Sequence, residues 1–365
     1  MRKLHTLFWL PGDYSLVPSG SIATVPHDPG VNDALGGIDA AFLAARGLRI
    51  IVMLPVGSSD LSNPDGYVAR LTALKATLAA KGITPWAISL GDEMFDVCNY
   101  GARLSWPVFA GMTRPHEDMR ARKQLLYPRL SRLYTLTKTA FPTIPTLQVE
   151  TMFCSTDVNE GYWHPLCPDA DIAAVDPYLW SDGCPWLGTG PLTAQSPVEK
   201  FGKEVMWLTA GGGNPLGITG AFGYGKPVVL IGQVFRDVIN SPWHTLPTPA
   251  QSRWYFEWGV SQPQIIGLGW YSIASVPGLS IGLDQLPAHL AMVRGTMAEM
   301  AAGTPVADPL PSAAPAPVPV PAPTVLTPTT PTPAAPVTTL CTIAVRSDHT
   351  LVITGANGRV QTVTV

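Results

Sequence analysis

Arg49-Ile50-Ile51-Val52-Met53-Leu54-Pro55 and Trp86-Ala87-Ile88-Ser89-Leu90 bracket the stretch that decides the fold of this chain. Each is a short, continuous apolar run rich in β-branched residues, too short for a buried helix and suited to a strand covered on both faces. Between them Asn63-Pro64 supplies a helix cap with a proline at the first helical position, and Gly82 supplies a stop. Residues 49 to 90 therefore read as one β–α–β unit, whose two strands run parallel because a helix carries the chain back between them.

Working outward, the same theme recurs as far as Gly303. Strands are expected at Thr146 to Glu150, Ile172 to Val175, Pro227 to Ile231 and Ile265 to Gly269. Thr248-Pro249-Ala250-Gln251 places a cap, a proline and a capping-box glutamine in helix-opening order, and a last helix runs from about Pro287 to Ala302. Upstream there is room for two more strands, near Leu4 to Leu10 and Ser21 to Val25, and for one helix near Val31 to Arg46. The first crossover has no helix of its own. Eight strands make a (β/α)8 TIM-type barrel, an α/β fold. A doubly wound open sheet would need a glycine-rich phosphate turn after an early strand. The clusters Gly211-Gly212-Gly213 and Gly220 to Lys226 precede a strand, so they read as loop on the amino-terminal side.

After Gly303 the composition changes. Thr304 to Val337 holds 12 prolines among alanine, valine and threonine, with a single charge at Asp308. Such a segment favours polyproline II and, at about 3.1 Å per residue, reaches roughly 100 Å. Leu340 to Val365 then alternates apolar and polar residues around turn signals at Ser347-Asp348 and Asn357-Gly358. The expected organisation is a barrel over residues 1–303, a Pro-rich linker over 304–338 and a small β module over 339–365. About 25 residues cannot bury enough surface alone, so the module is expected to pair with copies of itself or to dock on a larger assembly.

The 365 residues are 46% hydrophobic and only 13% charged, with a net charge of −3. The 23 lysines and arginines are scattered, which argues against nucleic acid as a partner. No run of about 18 apolar residues occurs to span a membrane. Met1 to Leu10 imitates a signal peptide, but its apolar run is short, contains His5 and ends in Pro11-Gly12-Asp13 without a small-residue cleavage site, so export by that route is not expected. Five cysteines without C-x-x-C spacing argue against a disulfide framework and a zinc knuckle. No metal and no cofactor is expected, and the seven histidines are dispersed.

In a barrel of this kind the chemistry sits at the carboxyl ends of the strands. Here strand four leads into Leu90-Gly91-Asp92-Glu93, strand five ends in Glu150, strand six in Val175-Asp176-Pro177-Tyr178, strand seven in Gly232-Gln233 and strand eight in Trp270-Tyr271. With the Lys226-Pro227-Val228-Val229 start of strand seven and Gly267 to Tyr271, this pattern resembles the large clan of (β/α)8 glycoside hydrolases that carry an acid/base carboxylate after strand four. The resemblance covers most of residues 48 to 302. It implies that Glu93 is the acid/base and that strand seven should end in a nucleophilic glutamate, where this chain has Gln233.

A retaining mechanism needs two carboxyl groups about 5 to 5.5 Å apart, and an amide is no nucleophile. Three outcomes stay open. The enzyme inverts, with Glu93 as acid and Asp176 or Glu150 activating water; or Gln233 holds a sugar substituent while another carboxylate acts; or the barrel binds glycan without cleaving it. Asp92 beside Glu93 favours a protonated acid, because adjacent carboxylates raise one another's pKa. Asp92, Glu150, Tyr178, Trp180, Trp186, Trp270 and Tyr271 are expected to shape the subsites, since aromatic planes stack on the apolar faces of sugar rings. Trp254 and Trp258, four residues apart, read instead as one helix face in the core. Asn99 to Glu117 is long enough to act as a lid.

The expected partner is a polysaccharide or cell-surface glycan. A barrel on a long stalk, with no export signal, fits a virion protein such as a bacteriophage tail or decoration component, or an extracellular protein. A bacterial cytoplasmic hydrolase is the alternative.

Overall fold

The computed structural model describes residues 2–9, 11–28, 32–92, 119–150, 170–176, 227–237, 245–263, 265–271, 273–275, 277, 280–305, 341–345, 350–355 and 360–364. The chain divides into two compact units, residues 1–315 and 316–365.

The first unit is a closed barrel of eight parallel strands: β1 (His5–Phe8), β2 (Ile22–Asp28), β3 (Arg49–Met53), β4 (Ala87–Ser89), β5 (Thr146–Glu150), β6 (Ile172–Val175), β7 (Val228–Gln233) and β8 (Ile265–Tyr271). Each strand pairs with the next in sequence, and β8 pairs with β1 through Gly267↔His5 to Trp270↔Phe8. The β1–β2 pairing, Leu7↔Ile22 and Phe8↔Ala23, completes the ring. Closure excludes the open-sheet alternative.

Period-two alternation sorts the apolar residues of every strand into two layers, which is why the strands read as continuous hydrophobic runs. Leu7, Ile22, Ile51, Leu147, Val149, Ile172, Val229 and Ile231 fill the lumen. Their neighbours Phe8, Ala23, Val52, Ile88, Ala173 and Leu230 face outward, to be covered by the helices. The described α-helices of seven residues or more are α1 (Ala40–Arg46), α2 (Pro64–Ala80), α3 (Met119–Ala140), α4 (Pro249–Ser261) and α5 (Pro287–Ala301), and a single turn, Ser58–Ser62, precedes α2. Tyr67, Leu71, Leu74 and Leu78 of α2, Leu126, Leu130 and Leu133 of α3, and Phe256 of α4 complete that outer layer.

The helix ends follow their sequence signals. Asn63 accepts from Asp65 N at 3.2 Å ahead of Pro64, and Gly82 takes φ +65° after α2. Thr248 and Gln251 exchange the two bonds of a capping box at 2.7 and 3.2 Å. Thr248→Ala is expected to cost about 1 kcal/mol of stability, read as a drop in the denaturation midpoint with unchanged cooperativity. The helix expected near Val31 to Arg46 is broken in two. Ala34–Gly37 forms a 3₁₀ turn that stops at Gly36-Gly37, and α1 starts afresh where Asp39 accepts from Phe42 N at 2.7 Å. Paired glycines are poor helix residues and Asp39 is a strong cap, so the restart wins over one continuous helix. As expected, no helix lies between β1 and β2 among the described residues.

The amino-terminal end of the lumen is plugged by polar and aromatic groups. Arg49 donates to His5 Nδ1 at 3.0 Å, its guanidinium lies 5.9 Å from the centre of the Trp86 ring, and the His5 ring meets Trp86 edge-on. Beside it the Lys138 ammonium of α3, 8% exposed, donates to Asp171 at 2.6 Å. Asp171 also accepts from Thr146 N at 2.9 Å and Thr146 Oγ1 at 3.1 Å, tying β5, β6 and α3 at one point. After α5, Thr304–Pro305 pairs in parallel with Arg2–Lys3, the residues that lead into β1, at this end of the barrel, its floor.

In the second unit Cys341–Val345, Thr350–Gly355 and Val360–Thr364 form a three-stranded antiparallel meander in the registers Ile343↔Ile353 and Val352↔Thr362. The expected turns fall at positions outside the described residues. Among the described residues, no helix is long and apolar enough to cross a membrane.

Candidate functional site

The carboxyl ends of the eight strands form the end of the barrel opposite the floor. Strand β4 ends there in a tightly determined turn. Ser89, buried in the lumen, donates its hydroxyl to Gly91 O at 2.9 Å, and Gly91 takes φ +150°, which L-residues with a side chain rarely adopt. The indole of Trp9, 1% exposed at the end of β1, then donates to Asp92 Oδ1 at 3.1 Å. Gly91 and Asp92, the two residues that immediately precede Glu93, are therefore held by side chains of the barrel, Ser89 and Trp9. Glu93 lies outside the described residues.

Three strands further round the ring, Gln233 at the end of β7 is 4% exposed and donates Nε2–H to Thr245 O at 2.7 Å. Its neighbour Gly232 faces outward, where an added Cβ would lie 2.6 Å from the Tyr255 ring of α4. The glycine lets that ring press onto the strand. Gly232→Ala is expected to destabilise the barrel by about 1–3 kcal/mol through overpacking, measured by chemical denaturation. Tyr255 is fully buried, and its phenol is pushed well above its usual range, first by burial and then by the negative charge of Asp176. Asp176 itself is 2% exposed, so it is shut away from bulk water.

At the end of β8 the two aromatic residues part. Tyr271 is half-buried against the lumen cluster and meets Phe235 edge-on with ring centres 4.8 Å apart. Trp270 points the other way. It belongs to the outer layer, is 1% exposed and packs edge-on against Tyr255 with centres 5.8 Å apart. The expectation that Trp270 offers a stacking face at the mouth does not fit this position: strand alternation gives the inward place to Tyr271 and turns Trp270 toward α4. Trp254 and Trp258 pack partly buried against the outer layer, as their spacing implied.

Asp92, Asp176, Gln233 and Tyr271 thus stand at the ends of four strands. Glu150 is the last residue of β5, with its side chain outside what is described. Tyr178, Trp180, Trp186 and the segment Asn99 to Glu117 fall outside the described residues, as do Cys98, Cys154, Cys167 and Cys184. Among the described residues no group of histidine, cysteine and acidic side chains has the makings of a metal site.

Two features escaped the sequence reading. Trp9 sat in a run that looked like a failed signal peptide, yet it is the residue that pins Asp92. Near the end of β3, Asp60 is 4% exposed and accepts from Gly57 N at 2.8 Å and from Arg70 of α2 at 2.5 Å. Arg70 also donates to Pro55 O at 2.9 Å and lies 3.8 Å from Asp28, the last residue of β2. This network holds a part-exposed carboxylate at the rim, and the Asp28-Pro29-Gly30 sequence reads locally only as a turn.

No protein-family model matches this sequence. No curated protein matches it either. Among solved structures the chain is similar to glycoside-hydrolase barrels. An exo-β-1,4-mannosidase, Op5Man5 from Opitutaceae bacterium strain TAV5, matches over 82% of this chain and 60% of its own, at 12% identity and TM-score 0.51. A family 1 β-glucosidase from Thermotoga maritima matches over 78% and 84%, at 10% identity and TM-score 0.48. A GH2 β-galacturonidase from Eisenbergiella tayi bound to galacturonate matches over 76% and 45%, at 14% identity and TM-score 0.41. This chain therefore spans less than two thirds of the mannosidase and under half of the galacturonidase. At such identities the likeness is one of fold, and the mannosidase match carries it.

Proposed function

We propose that this chain is a glycan-acting barrel of the glycoside-hydrolase type, working at the carboxyl ends of its strands with Glu93 as proton donor. The observation that supports this most is the end of β4. Ser89, the open backbone angle of Gly91 and the Trp9–Asp92 bond fix the residues leading to Glu93, and such preorganisation has little purpose in a turn that merely caps a helix.

In the hydrolysis this supports, Glu93 gives its proton to the glycosidic oxygen as the bond from that oxygen to the anomeric carbon breaks. Water adds to the carbon from the opposite face and loses its proton to a second carboxylate, about 6.5–9.5 Å from the first. The candidates for that base are Glu150 and Asp176. Asp176, at 2% exposure, serves only if substrate uncovers it. Tyr271 and Asp92 shape the subsites, together with Tyr178, Trp180 and Trp186.

One observation favours a second reading, a barrel that holds glycan without cutting it. Gln233, at the place of the strand-seven nucleophile, is engaged as an amide donor. Both readings suit a displayed protein on a stalk, including a phage tail or decoration protein or another extracellular one.

Saturable binding of the intact chain to one member of a panel of bacterial surface polysaccharides and peptidoglycan tests the common ground. Binding that weakens when Tyr271 is replaced by alanine is expected. Failure to bind any member, with the barrel folded, removes glycan as the partner.

A further inference from the structure

Gln233 stands where the glycoside-hydrolase resemblance leads one to look for a nucleophilic carboxylate. We infer that it is instead a positioning residue, the anchor of Thr245–Thr248, and that its site is built for an amide.

The atom facing Thr245 O at 2.7 Å must be the amide nitrogen, because a carbonyl oxygen can only accept. Two residues further on a second buried side chain does the same. His289 of α5, 6% exposed, donates Nε2–H to Pro247 O at 2.6 Å. Thr248 then opens α4 with its capping box, and Ser252, in the first turns of α4, donates its hydroxyl to the carbonyl of Gln233 at 3.5 Å. Donors from β7 and α5 thus fasten a short backbone segment to the end of the barrel, and the helix that follows bonds back to the strand.

A carboxylate at position 233 does not fit this arrangement. An ionised oxygen would face the carbonyl of Thr245 with no proton between them, and at 4% exposure water does little to relieve the charge. Among the described residues the titratable groups beside it are Tyr271 on β8, Asp176 at the end of β6 and Tyr255 on α4; the cation of α4, Arg253, is taken up by Glu257 and Glu299, His289 of α5 is engaged with Pro247 O, and Arg294 of α5 is exposed. Arg236, three residues on, is exposed. Only the protonated acid reproduces the bond. The carboxyl of a glutamate here is therefore pushed up from its ordinary range, and because the amide actually present is no nucleophile, hydrolysis by this chain does not pass through a covalent sugar on strand seven. That last consequence rests on the glycan reading above; the anchoring role does not.

The test compares thermal midpoints of the intact chain carrying Gln233→Glu or Gln233→Met with the unsubstituted chain, from pH 4 to pH 9. Gln233→Met lacks the donor and is expected to lower the midpoint by roughly 3–6 °C at every pH. Gln233→Glu should match the unsubstituted chain at the acid end, where the protonated carboxyl donates to Thr245 O. Its deficit should then open as pH rises. The sign follows from a carboxyl whose folded pKa lies above its unfolded value of about 4.3: ionisation costs more in the folded state, so stability is lost between the two values and stays lost above them. A Gln233→Glu chain that equals the unsubstituted chain throughout, or whose deficit lies on the acid side, would overturn the inference, because either result means that a charged carboxylate is at home there. An unchanged midpoint in Gln233→Met would also overturn it. None of these readings depends on a glycan, so the anchor and the glycan proposal fail separately.

Discussion

Glu93→Gln should lower kcat/KM on a cleaved glycan by about 10²–10⁴-fold while leaving binding within a few-fold of the unsubstituted chain. Glutamine keeps the size and the hydrogen-bonding reach of the side chain but cannot hand a proton to the departing oxygen. The interaction lost is therefore one made in the transition state, and kcat and kcat/KM should fall together. A rise in KM with kcat unchanged would mean that Glu93 only helps to hold the sugar. The pH profile is a second check. The alkaline limb of the rate, where the donor loses its proton, should vanish from the residual activity of the variant.

The largest expected effect on stability lies at the other end of the barrel. Asp171→Ala leaves the Lys138 ammonium buried without its carboxylate and removes the acceptor of both Thr146 bonds. Removing one partner of a buried pair costs about 3–5 kcal/mol, which for a domain of this size lowers the thermal midpoint by on the order of 10 °C. Lys138→Met combined with Asp171→Ala should be less destabilising than Asp171→Ala alone, since no unpaired charge then remains inside. Equal losses in the single and double variants would show that the cost comes from the Thr146 bonds and not from the stranded ammonium.

The strands of this barrel were legible because each is buried on both faces, so runs such as Arg49–Met53 and Val228–Gln233 carry no competing polar period. The helix ends at Asn63 and Thr248 were legible because capping is local chemistry. What the sequence did not disclose depends on phase and on distance. Trp270 and Tyr271 are adjacent and both aromatic. Which of them faces the lumen is set by the register of β8 against β7 and β1, and no property of the dipeptide reveals it. Trp9 and Asp92 are 83 residues apart, and only closure of the ring brings β1 and β4 onto one rim where the indole can reach the carboxylate. Gln233 was visible as a departure from the glycoside-hydrolase pattern. Its engagement with Thr245 O was not, because that bond depends on how the chain returns to the barrel ahead of α4.

The most direct test of the central claim is release of reducing ends by the intact chain from whichever glycan of the panel it binds. Steady release, abolished in Glu93→Gln, is the result expected of a barrel that cuts its glycan with a strand-four acid. Tight binding with no release above the variant's background would contradict hydrolysis and leave a barrel that holds its glycan without cleaving it.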